Sequence, residues 1–241
     1  MTEADFLADY DPSAFERPSV TVDLVLLSIR DGRPAVLLQA RRDHPFEGYW
    51  ALPGGFVAID ESLDAAAQRV LHDKARLQDA HLEQLYTFGA VDRDPRTRVI
   101  TVTWLALLNE QAFTAALAAN PTLLPAAIDV SWVGEVGGAI AALDPQGGPL
   151  DLAFDHADIL ALAMLRLRGK LDYSEVGFAL LPPAFTLRQL QDVHEVISGA
   201  SFNKPAFRRR MLDKGWLAPT GMREAGTSYR PAELYRFQRP N

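Results

Sequence analysis

Apolar residues fill Val20–Ile29 except at Thr21, Asp23 and Ser28, and they return in Val36–Arg41 after Asp31-Gly32-Arg33-Pro34. Two strands joined by a short turn are predicted there, because Val- and Leu-rich runs bounded by Gly and Pro favour a pleated, buried chain. Trp50-Ala51-Leu52-Pro53-Gly54-Gly55-Phe56 follows as an irregular, glycine-punctuated loop. Glu61–Lys74 then changes period, with Leu63, Ala66, Ala67, Val70 and Leu71 on one side of a helix. Leu82–Phe88 and Val99–Leu108 are further strands, Ala112–Ala119 a helix and Asp129–Val133 a short strand. This mixed order implies an α/β sandwich.

The breaker cluster Leu143–Pro149 ends that pattern. A helix over Asp155–Arg168, stopped by Gly169, is expected next; it either closes the first unit, bridges two units or joins a dimer interface, and spacing does not choose. After a linker, Gly169–Pro183, Thr186 caps a helix through Ile197 that ends near Gly199, and Asn203 caps a second, Lys204–Lys214, with Phe207, Met211 and Leu212 inward. Short strands at Trp216–Ala218 and Leu234–Phe237 enclose a polar loop. Two helices and a hairpin describe a winged helix.

Charge divides the chain at the same place. Residues 1–175 carry 14 Lys or Arg against 26 Asp or Glu, a net of −12, whereas residues 176–241 carry 10 against 5, a net of +5. A polyanion is drawn to the basic tail and repelled by the body. With no cysteine in 241 residues, disulfides and thiolate metal sites are excluded. The five histidines are scattered without metal-binding spacing, so no metal site is expected. The acidic start and the lack of a long apolar run predict a cytoplasmic protein with no membrane association.

Gly55, Glu61, Arg69, Leu71 and Leu77 carry the spacing of the Nudix box, Gly, five residues, Glu, seven residues, Arg-Glu-aliphatic, one residue, Glu-Glu, one residue, Gly-aliphatic, and Gly48–Gly55 resembles the family's approach to it. By that resemblance the Glu after Arg and the Glu-Glu pair hold divalent metals against a pyrophosphate. Here these positions are Val70, Asp73 and Lys74, and the late Gly is Arg76. Magnesium needs hard oxygen ligands. Valine supplies none, and Lys74 places a cation where a ligand belongs. Arg69 and Glu61 fit a structural role instead. The box is therefore read as degenerate, and the chain as a receptor rather than an enzyme.

Further blocks resemble the NrtR family of Nudix-related regulators of NAD metabolism: Gln39–Gly48, Leu85–Gly89, Asp92–Arg96, Phe154–Leu160, Arg166–Tyr173, Phe185–Leu187 and Asn203–Arg210. The resemblance implies a Nudix-like α/β/α sandwich over 1–150, a connecting helix and linker over 151–175, and a winged helix-turn-helix DNA-binding domain over 176–241. It also implies a homodimer that represses genes of NAD metabolism from a double-stranded DNA operator. No cofactor is required, and the effector is ADP-ribose or a related nucleotide. A diphosphate needs cations and adenine a flat apolar surface, so Arg41, Arg42, Arg96 and Arg98, with Phe46, Tyr49, Phe56 and Phe88, are the candidate ligand residues.

DNA contact is assigned to Asn203, Lys204, Arg208, Arg209 and Arg210 on the second helix, read together with Lys214 as lying on or near one side, and to Arg223 and Arg230 of the wing. Ligand in the first domain is expected to shift the placement of the winged helices. Two other readings stand beside this one: an active Nudix hydrolase on ADP-ribose or a related nucleoside diphosphate with a basic accessory domain, and a protein-binding module assembled through the C-terminal domain.

Overall fold

The computed structural model describes residues 1–78, 80–225 and 231–239. Its centre is a mixed sheet built from β1 (Ser19–Arg30), β2 (Arg33–Ala40), β3 (Trp50–Ala51), β4 (Gly54–Phe56), β5 (Leu82–Phe88), β6 (Val99–Leu107), β7 (Leu123–Val130) and β8 (Ile140–Leu143). The main path runs β5-β6-β1-β2-β7-β8, with β3 on β2 and β4 on β1. Only β1 and β6 run parallel among these pairs.

Because β1 is covered on both sides, its sequence is almost continuously apolar rather than alternating. Its side chains nevertheless sort by parity. Val22, Leu24 and Leu26 face one core with Ala66, Ala67, Val70 and Leu71 and with Phe113 and Ala116 of α3 (Glu110–Ala119). Val25 and Leu27 face the other, with Ile159, Leu160, Ala163, Met164 and Leu167 of α4 (His156–Lys170). Sheet between two helical layers is the α/β/α sandwich expected.

The second core continues beyond the sheet. Leu187, Leu190, Val193 and Ile197 of α5 (Leu187–Ser198), and Phe207 and Met211 of α6 (Lys204–Asp213), belong to the same buried cluster as α4. Helix α4 therefore both closes the sheet's second face and joins it to α5 and α6. A Thr186–Gln189 capping box starts α5, Gly199 ends it in left-handed backbone, and Asn203 accepts from Ala206 N to start α6. The wing strands β9 (Leu217–Arg223) and β10 (Glu233–Phe237) are antiparallel, and Phe185 exchanges two backbone hydrogen bonds with Tyr235 at their edge.

Several boundaries differ from the sequence reading. The helix over Glu61–Lys74 is shorter, α2 (Leu63–Val70), and its last turn widens to a π-helix over Leu71–Ala75. The expected strand at Asp129–Val133 lies earlier, at β7, where Pro125 hides it, and β8 was not expected at all. Gly169 does not stop α4, which runs to Lys170, and the linker holds a 3-10 turn at Val176–Leu180. The glycine-rich loop after Gly48 contains β3 and β4. Leu212, expected inward, is exposed. A short N-terminal helix, α1 (Glu3–Asp9), is capped by Thr2 and buries none of its residues.

Candidate functional site

The glycine-rich loop and the box line a cleft of about 630 Å³, with β1, β2 and the loop before β6. Among its lining residues are Arg41, Arg42, Lys74, Arg93, Arg96 and Phe154. Arg96 gives two guanidinium hydrogen bonds to Asp94, at 3.0 and 2.7 Å, and lies 5.8 Å from the ring centre of Phe56. Arg41 donates to Pro45 O at 2.7 Å and sits 4.8 Å from the ring centre of Phe154. Burial, followed by the neighbouring Arg96, brings the Arg41 pKa below its ordinary value. Cations crowded in this way favour an anionic guest.

Of the residues expected to bind ligand, Arg41, Arg42 and Arg96 share this cleft, together with Phe56. Phe46 and Tyr49 pack behind it, Phe46 edge-on to Phe154 at 4.8 Å and Tyr49 against Phe46 at 5.6 Å. Phe88 packs with Tyr86 on β5, and Arg98 donates to Ala90 O at 2.7 Å, fastening the loop that precedes β6.

The box residues divide by what they touch. Arg69 grips Glu61 with two hydrogen bonds of 2.7 and 2.9 Å and donates to Phe56 O at 2.9 Å. Glu61 also accepts from Ala58 N, and these bonds, Arg69's foremost, pull its carboxyl down to about 2. Val70 is buried in the core, with Gly55 opposite; a Cβ on Gly55 would lie 3.2 Å from Val70 Cγ2. Asp73 is exposed beside His72, 3.2 Å away, whereas Lys74 is half-buried and lines the cleft. Arg76, at the position of the family's glycine, takes left-handed backbone at φ 56°. Among the described residues no three His, Cys, Asp or Glu side chains are placed to hold a metal ion. The donor set at Val70, Asp73 and Lys74 does not fit a pair of divalent cations, which need several carboxylates held together.

Beneath the cleft lies a buried network that composition and spacing did not reveal. Arg93 donates to both oxygens of Asp155, at 2.8 and 2.6 Å, and approaches Asp23 at 3.8 Å. Thr101 donates to Asp23 at 2.7 Å, and His156 Nδ1 accepts from Leu52 N at 2.9 Å. Burial drives the His156 pKa down. The neutral ring then carries its proton on Nε2, which faces Asp23 at 4.0 Å. Gly54 permits this packing, since a Cβ there would stand 2.1 Å from Asp23 Oδ1. These residues lie 132 positions apart, from Asp23 to Asp155, so only the fold brings them together.

A second feature, a groove of about 450 Å³, runs between α5, α6 and the wing. Lys204 and Arg208, one turn apart on α6, line it with Arg188 and Arg223. Arg188 was not anticipated, because its i,i+4 partner Asp192 makes it look like an ordinary surface pair. The cations of α6 do not share one side. Arg209 points to solvent near Asp213 at 3.7 Å, while Arg210 and Lys214 turn back toward the linker. Arg210 lies 5.4 Å from the ring centres of Phe202 and Phe207 and 3.2 Å from Asp172, and Lys214 donates to Asp172 O. The expectation that all five lie together failed because Phe207 and Met211 pack inward between the two flanks. Arg223 donates to Pro231 O at 3.1 Å; Arg230 lies outside the described residues.

Residues 17–133 match the NUDIX domain and residues 177–237 the NrtR DNA-binding winged helix domain. An ADPR responsive transcriptional repressor of Acinetobacter baylyi is 38% identical over 238 residues, spanning 98% of this chain and 88% of its own length. The crystal structure of Shewanella oneidensis NrtR complexed with a 27mer DNA is 34% identical, covers 91% of this chain and 93% of its own, and superposes with a TM-score of 0.74. The NUDIX domain of the same protein complexed with ADP ribose is 35% identical over 69% of this chain and 99% of its own, with a TM-score of 0.51. With a full-length relative at this identity, a matching winged helix and a matching Nudix sandwich, the chain belongs to the NrtR family.

Proposed function

We propose that this chain is a ligand-responsive transcriptional repressor that binds operator DNA as a homodimer through Lys204, Arg208, Arg209 and the wing, and takes ADP-ribose or a related nucleotide in the cationic cleft. NAD metabolism genes are the proposed targets. One observation carries the receptor reading: Lys74 projects a cation into the cleft where a hydrolase of this fold needs a carboxylate, and Val70 is built into the core. An anionic diphosphate is bound there and not cut, and the site needs no cofactor. Arg41, Arg42 and Arg96 hold the phosphates in this reading. Asn203 is the helix cap, so its side chain is already engaged.

The dimer follows from electrostatics. A single winged helix offers few phosphate contacts, and an acidic body opposes them; a second copy doubles the contacts and reads two half-sites about one helical turn apart. No helix among the described residues is long and apolar enough to cross a membrane. A cytoplasmic location is part of the proposal because the operator is there. The test is operator affinity, by fluorescence anisotropy on duplexes selected from a random pool, with and without ADP-ribose. A change in affinity on saturation supports the reading, and failure to select any duplex overturns it.

A further inference from the structure

Helix α4 has one end in each half of the molecule, and the residues at its start hold the cleft. Asp155 stands at the N-cap, where a carboxylate ordinarily accepts an N–H from the first turn of its own helix. It makes no such bond. Both its oxygens are taken by Arg93, whose side chain is only 4% exposed and lines the cleft. His156, the first helical residue, secures the opposite wall through Leu52 N. At the far end, Leu167 packs in one core with Leu190 and Ile197 of α5, and Asp172, two residues beyond α4, pairs with Arg210 of α6.

We propose that Arg93 and Asp155 form the switch that couples the cleft to the recognition helix, an inference that rests on the ligand-responsive reading above. The Arg93 guanidinium, bonded to Asp155 with Asp23 3.8 Å away, gains a competing anion once a diphosphate enters the cleft. When the phosphate takes Arg93, Asp155 is released and turns onto Ala157 N–H, the one first-turn amide without a bond among the described residues, since His156 N is held by Ala153 O and Asp158 N by Asp155 O. That N–H lies at the positive end of the helix dipole, so it donates readily to the carboxylate. The exchange trades one anion for another on Arg93 and one donor set for another on Asp155. No charge is left unpaired in either state. Because α4 is packed in a close-fitting core, a new first-turn geometry moves the helix as a body rather than being absorbed locally. Asp155 is a positioning residue here, acting on DNA through α4.

Asp155→Asn tests this in the full chain. The amide still caps a helix but gives up the ion pair, so the variant is expected to resemble the liganded state. Its ligand-free operator affinity should move to that of ADP-ribose-saturated wild type. The ratio of operator affinities without and with ADP-ribose, about 5–150-fold for typical coupling, should fall toward one. ADP-ribose itself should bind more tightly, because its competitor for Arg93 is gone; a merely structural role for Asp155 would not produce that gain. A wild-type ratio retained in the variant overturns the switch while leaving the receptor reading intact. A ratio of one in wild type overturns both. Should the variant fail to fold, hydrogen exchange on wild type decides: ADP-ribose must alter protection of the amides at residues 157–159, and unchanged protection there overturns the proposal.

Discussion

The box helix α2 and the recognition helix α6 both carry family motifs, and they have kept opposite things. In and around α2, the motif residues that remain are those that hold the loop: Arg69 on Glu61 and Phe56 O, and Gly55 against Val70. The positions that would face a metal have gone to valine and lysine. On α6 the inner face is ordinary core, Phe207 and Met211 under α5, while Lys204, Arg208 and Arg209 stand exposed, where folding does not require an arginine or lysine. Residues that hold the fold and residues that the fold does not need are thus separable here by what each touches. The first region lacks the carboxylates that the chemistry needs, and the second carries exposed charges that the proposed function assigns to DNA.

The largest effect is expected on the inner side of α6. His194 of α5 lies 5.1 Å from the Phe207 ring, and burial pushes its pKa down to about 4 from 6.5. A base whose folded pKa is depressed is bound by more protons in the unfolded chain between those values. Stability is therefore full above pH 6.5 and lost as pH falls toward 4, by about 3–4 kcal/mol at about 1.4 kcal/mol per unit. Denaturant melts of wild type and His194→Gln across that range should show the variant's profile flatter.

On the outer side of α6, Arg208→Ala should leave the melting temperature unchanged and weaken operator binding by about 1–3 kcal/mol if it reads a base edge. Anisotropy titrations at several salt concentrations separate this from phosphate contact, which would instead lower the salt slope by about one. Unchanged affinity would remove Arg208 from the interface.

Gly199 lies at the junction of the two halves. Its φ is +67°, and a Cβ there would stand 2.5 Å from the Trp132 ring, which itself lies under Arg168 of α4 at 4.4 Å. Gly215 shares the same φ but opens on empty space. Left-handed backbone costs an alanine about 1–2 kcal/mol at either site. Gly199→Ala should cost more than Gly215→Ala in thermal melts, the excess measuring the Trp132 contact; equal costs would show that the indole moves freely.

The smallest effect is at the box. Glu61→Gln removes a carboxylate whose folded pKa is lowered to about 2, chiefly by Arg69. That contribution is present above the ordinary value of 4.5 and is lost as pH falls through about 2. The stability difference from wild type should shrink over that acid window, and operator affinity should not change.

Much of this was legible in the order of residues. The capped starts of α5 and α6 at Thr186 and Asn203, and the spacing of Gly55, Glu61 and Arg69, are local signals, and local signals survive without a fold. Strand β7 was misplaced because Pro125 sits within it; the residue is tolerated because it pairs with β2 alone, β8 joining only from Ala127 onward. The network of Asp23, Thr101, Arg93, Asp155 and His156 was invisible because its members come from four separate segments that only the fold brings together. The inward turn of Arg210 was hidden for a related reason. Three adjacent arginines look alike in sequence, but a helix spreads them over most of its circumference.

A Nudix cleft that binds without cutting can be distinguished from a hydrolase by titrating ADP-ribose into the full chain in a calorimeter with magnesium present and then recovering the nucleotide by chromatography. The account predicts saturable binding and ADP-ribose recovered intact. Saturable binding with AMP released would contradict it.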